Sequence, residues 1–109
     1  MFKVVTNRTF THDVKVQIPA DGGHVEETLK TTFVCLPSEQ LANYDLRTEG
    51  GASVFLEASV KTFHDLVDDD EQPIECTAEL RTKLLCDPNI RLALSTHYFR
   101  AVTKAPEGN

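Results

Sequence analysis

The chain has 109 residues, carries 17 acids against 11 bases for a net charge of −6, and is 40% apolar. That length suits one domain and is too short for two independent cores. The acidic balance disfavours nucleic acids and anionic membrane surfaces, which select basic faces, and leaves protein partners open.

The charge is uneven. Residues 1–36 carry four bases and four acids, so the whole excess of acid lies in residues 37–109. Near the start, the apolar stretch Phe2 to Val5 is broken by Lys3 and then by Thr6, Asn7 and Arg8. No secretory leader is expected from that pattern, and no stretch has the eighteen uncharged apolar residues of a membrane span. The expectation is a cytoplasmic protein beginning at Met1.

The first structured element is a strand. Val14, Val16 and Ile18 alternate with Lys15 and Gln17, which gives one apolar and one polar face. Pro19 should end it, and Asp21-Gly22-Gly23 should supply the positive-φ positions of a turn. A second strand follows from Val25 through Phe33 and Val34 and stops at Pro37. The pair reads as a β-hairpin over about 13–36, with Phe2 to Val5 and Phe10 as the source of a short third strand. A lone hairpin is marginal in water, so its apolar face is expected to lie on helices.

After Pro37 the period changes. Ser38 is placed to cap a short helix carrying Leu41 and Tyr44, which Gly50-Gly51 should break. Leu56, Val60, Phe63 and Val67 recur at four, three and four, which predicts one helix over about 52–66. The acidic run Asp68 to Pro73 reads as a loop. Thr77 should then cap a helix with Leu80, Leu84 and Leu85 inward. Asp87-Pro88 restarts the chain as a last helix over about 88–104, with Ile90, Leu94, Tyr98 and Ala101 on one stripe and Pro106 to Asn109 as a frayed tail. The expected architecture is a single α+β domain over 1–109: an N-terminal antiparallel hairpin or small three-stranded sheet (about 1–36), packed on a C-terminal bundle of three to four helices (about 37–105).

The acidic run, the histidines and the cysteines are the residues with the means for chemistry. With Asp68 first in a calcium loop, Asp70 falls third, Gln72 fifth and Glu79 twelfth, but Pro73 occupies the position whose sharp turn needs glycine. His12, His24, His64 and His97 are dispersed, and Cys76, Cys86 and His97 have no zinc-like spacing. Cys35, Cys76 and Cys86 read as small buried hydrophobes in a reducing compartment. Cys86 with His97 makes no plausible nucleophile pair on two separate helices, and no serine lies in a nucleophile turn. No catalytic residue, metal ligand or cofactor site is therefore expected. What remains is apolarity off the main helical stripes, at Phe55, Leu92 and Phe99, which are the candidate partner-binding residues.

One resemblance spans most of the chain. Arg8 to Val14, Pro19, Asp21 to His24 and Glu26-Glu27-Thr28 resemble the opening of a phage tail assembly chaperone family. Phe55-Leu56, Val60, Phe63 to Asp70 and Pro73-Ile74 resemble its central helix and acidic connection, although Phe63 stands where that family tends to have tryptophan. Ala78-Glu79-Leu80, Leu84-Leu85, Pro88, Ile90, Ala93-Leu94 and Tyr98 to Ala101 are similar to its closing helix pair. The resemblance implies a non-catalytic factor of the bacterial host cytoplasm, made during phage or prophage expression. Its implied partners are the tape measure protein, whose apolar helices it covers, and the tail-tube protein, with self-association also open. The alternative expectation is a structural tail or head–tail connector protein retained in the virion.

Overall fold

The computed structural model describes residues 1–103, so the tail expected over Pro106 to Asn109 lies outside the described residues. Strand β1 runs over Thr9–Ala20 and strand β2 over Gly23–Val34, paired antiparallel from Thr9↔Val34 to Ala20↔Gly23. The hairpin is thus longer at its open end than the alternating residues alone indicate. Its two-residue turn uses Gly22 at φ +81°, followed by Gly23 at φ +154°, backbone that side chains with a Cβ resist. Pro19 does not end β1 but pairs with His24. The Cys35 N–H donates to Arg8 O, which makes the even residues of β1 the ones bonded to β2. The nitrogen of Pro19 therefore faces the free edge, where no donor is required.

The third strand is not drawn from the N-terminus. Phe10 lies inside β1, and Phe2, Val4 and Val5 are exposed outside any strand. Instead helix α1 (Ser38–Leu41) and helix α2 (Glu49–Ser59) intervene, and strand β3 (Val60–His64) returns to pair antiparallel with β2, giving the order β1-β2-β3. The single helix expected over 52–66 is therefore a helix followed by a strand. Val60, Thr62 and Phe63 suit a strand, but the spacing of Val60 and Phe63 imitates a helix for a definite reason. The register shifts between Thr32↔Thr62 and Phe33↔Val60, so Lys61 is bulged out and two residues three apart share the inner face. Val67, assigned to the same stripe, is exposed in the short strand β4 (Leu66–Val67), which pairs with β5 (Pro73–Ile74).

The expected break at Gly50-Gly51 is the first turn of α2. Thr48 caps that helix by accepting from Gly51 N. Ser38 gives no side-chain cap to α1, whose N-cap is Pro37. Helix α3 (Ala78–Leu85) does have the expected cap, with Thr77 Oγ1 accepting from Leu80 N at 3.1 Å. Helix α4 (Pro88–Thr103) is started by Asp87, whose Oδ1 accepts from Asn89 N and Ile90 N.

The architecture is α+β, with the helices packed on the inner face of the antiparallel sheet. Val14, Val16, Leu29, Phe33, Val60 and Phe63 come from the sheet, and Phe55, Leu56, Leu85, Ile90, Leu94 and Tyr98 from the helices, all buried in one cluster. Tyr98 is its hub. Its ring meets Phe55 edge-on at 5.2 Å and Phe33 at 5.8 Å, and its hydroxyl accepts from Leu36 N at 2.9 Å.

Candidate partner-binding surface

The three candidate residues separate in the structure. Phe55 is fully buried between Tyr98 and Phe99, so it belongs to the core and leaves the candidate surface. Its place off the expected stripe was an artefact of extending α2 into β3. Phe99 is half-buried and stacks on Phe55 at 5.3 Å, at the rim of that core. Leu92 projects from α4 with 70% of its surface exposed.

Leu92 sits between two depressions. The larger, of about 600 Å³, lies between β1 and α4, where Val14, Leu92 and Ala93 are among the apolar lining and Asp13, Lys15 and Arg100 among the polar lining. The smaller, of about 360 Å³, is lined by Leu46, Ala52 and Pro88 together with Arg91 and Leu92. Leu46 is 41% exposed there. Its floor is held by Arg91, which donates to the carboxylate of Glu49 at 2.8 Å and to the Glu49 carbonyl at 3.0 Å, tying α4 to the start of α2. Beside it, Arg47 lowers the carboxyl of Asp45 from its ordinary range through side-chain and backbone hydrogen bonds.

The remaining chemistry-bearing residues have structural employment. Asp68 Oδ1 accepts from Asp70 N and Gln72 N, which closes the β4–β5 turn over a left-handed Glu71. The acidic run is thus a turn organised by its own first carboxylate. His64 Nε2 lies 2.6 Å from Thr32 Oγ1, and that hydroxyl lies 2.7 Å from Thr11 Oγ1, forming a polar chain across the outer face of the sheet. His12 Nδ1 and His97 Nε2 share a hydrogen bond of 2.9 Å that ties β1 to α4. Cys35 and Cys76 are half-buried, whereas Cys86, expected inside, is exposed just past the end of α3; all three are free thiols. Among the described residues no three His, Cys, Asp or Glu side chains converge to hold a metal ion, and no helix is long and apolar enough to cross a membrane.

The chain matches no protein-family model, no curated protein and no solved structure.

The surface features that sequence reasoning missed are Arg100 and the β1 edge. Arg100 was one more base on an amphipathic helix, and only the packing of α4 against β1 brings it to the groove. The alternation that identified β1 carried no information on which neighbour it lacks.

Proposed function

We propose that this chain is a non-catalytic protein-binding factor of the tail assembly chaperone kind, covering apolar helices of a tape measure protein while tail-tube subunits assemble around it. The observation that carries this reading is Leu92, a large apolar side chain exposed on the ridge between two partly apolar grooves. An amphipathic partner helix uses such a ridge by laying its apolar residues to either side of it. The net charge of −6 opposes non-specific binding to nucleic acid. The sequence resemblance supports the same reading, because apolar helices awaiting assembly need temporary cover from a protein that performs no chemistry on them.

The reading predicts a gene for a tape measure protein beside that of the chain, and the test is co-expression with its product, followed by co-purification. The native chain should retain the partner. Leu92→Asp should keep the native circular dichroism and melting temperature but lose it, because one buried charge in an apolar contact disrupts association. A variant that binds as well as the native chain removes Leu92 from the interface. Recovery of the chain from purified particles would instead assign it a structural role in the tail or head–tail connector.

A further inference from the structure

Strand β1 is an edge strand, and its hydrogen-bonding pattern is settled by one contact. Since Arg8 O accepts from Cys35 N, residues 10, 12, 14, 16 and 18 turn their main-chain groups toward β2. Thr11, Asp13, Lys15 and Gln17 then turn their N–H and C=O groups to the open side, where no backbone bond reaches them among the described residues. This open side faces the groove of about 600 Å³ walled by α4. A helical ligand satisfies its own main chain and leaves these groups unpaired. An extended segment pairs with them and sends alternate side chains toward Val14, Leu92 and Ala93.

Charge selects the kind of segment. Arg47, Arg81 and Arg91 are each in an ion pair, and Arg8 donates to Lys3 O. Arg100 alone among the described arginines has neither an ion pair nor a hydrogen bond, although the chain holds six more acids than bases. It stands half-buried on the groove wall formed by α4, with Leu92 and Ala93, while Asp13 and Lys15, the latter donating to Thr28 Oγ1, line the strand side. The chain's own exposed segment Met1 to Val5 bears Lys3 and no acid, and is thus of the wrong sign to fill this groove.

We propose that the groove binds an extended, acidic and apolar segment of a partner protein as a strand added to the free edge of β1, with a side-chain carboxylate of that segment on Arg100. This rests on the protein-binding reading above and adds to it a second mode of contact, through main chain instead of an apolar helix face.

The test uses the full chain, labelled with ¹⁵N, and a capped heptapeptide with valine, glutamate and valine in turn at its alternate, groove-facing positions and threonine between them. The expected result is saturable binding with slowed amide exchange at Thr11, Asp13, Lys15 and Gln17. Binding should weaken roughly tenfold or more when lysine replaces glutamate in the peptide, or when Arg100 is changed to Glu. It should also be lost when alternate peptide nitrogens are methylated, which removes the main-chain donors. Arg100→Gln, which keeps the side-chain length without charge, should lie between. Absence of binding, equal binding by the methylated peptide, or equal binding to Arg100→Glu each overturns the proposal. Protection of the same amides by raised protein concentration alone would also overturn it, by making a second copy the occupant. A tape measure protein that still co-purifies with Arg100→Glu while the heptapeptide fails leaves the proposed function standing and removes only this mode of contact.

Discussion

Arg81 holds the carbonyl of Val60 with two of its nitrogens, Nη2 at 2.6 Å and Nε at 3.2 Å, and with Nη2 also reaches the Glu57 carbonyl at 2.8 Å. These carbonyls lie where α2 ends and β3 begins. A helix terminus leaves its last carbonyls without partners, and here a guanidinium from α3 supplies the donors and places positive charge at the negative end of the helix dipole. The Glu57 carboxylate adds an ion pair at 2.7 Å, but its side chain is 61% exposed, so the carbonyl contacts carry most of the effect.

Arg81→Met keeps the aliphatic stem and removes every donor. It should destabilise the protein by about 2–3 kcal/mol, because the half-buried Val60 carbonyl loses its charge-assisted bonds. Glu57→Gln should cost less than about 1 kcal/mol. Urea unfolding of both variants checks the order; equal losses would mean that the ion pair, not the helix end, is what Arg81 serves.

The two adjacent glycines of α2 should respond in opposite directions. A Cβ on Gly51 would run into the Asp45 carbonyl, whereas one on Gly50 would meet open space. Gly51→Ala should destabilise by about 1–3 kcal/mol through overpacking, and Gly50→Ala should stabilise by up to about 1 kcal/mol through helix propensity. Thermal melts of the two variants, compared with the native chain, decide this.

Ser59 is fully buried, and its hydroxyl has no hydrogen-bond partner among the described residues. Replacing it by Ala removes a desolvated polar atom with little change of volume. Ser59→Ala should be neutral or stabilising by up to about 1 kcal/mol. A clear loss of stability would show that the hydroxyl is satisfied in solution.

Burial raises the Tyr98 phenol above its ordinary value of 10.0, while the Leu36 N–H that it accepts from pulls the other way and Cys35 adds a small further rise. A raised folded-state value means that the native protein favours the neutral phenol more than the unfolded chain does. The stabilisation is therefore complete below about pH 10 and is lost as the pH climbs through the raised value. Tyr98→Phe should lose about 1 kcal/mol at neutral pH with the hydrogen bond, and should show a shallower decline in stability above pH 10 than the native chain. Unfolding curves taken from pH 8 to 11 compare the two slopes.

The two ends of the chain were the legible parts. Val14, Val16 and Ile18 identify β1 because both faces of a hairpin strand are locally encoded, and Asp87-Pro88 with Ile90, Leu94 and Tyr98 identifies α4 because its cap and stripe lie within sixteen residues. The middle was misread for non-local reasons. The stop after Ser59 depends on Arg81, the shared face of Val60 and Phe63 depends on a bulge at Lys61 against β2, and the burial of Phe55 depends on Tyr98 and Phe99. The candidate partner surface was legible only at Leu92, whose exposure follows from the α4 stripe. Arg100 and the β1 edge required the packing of the last helix on the first strand.

That packing also orders events during synthesis. Helix α4 closes over β1 through contacts such as His12 with His97, which lie 85 residues apart. Until α4 has left the ribosome, Val14, Val16 and Phe10 have no helix to cover them, however early the hairpin forms. The domain is thus completed only once α4 itself has been made. A chain cut short before Leu94 should be cleared by proteases as an uncovered hairpin, not survive as a smaller folded protein.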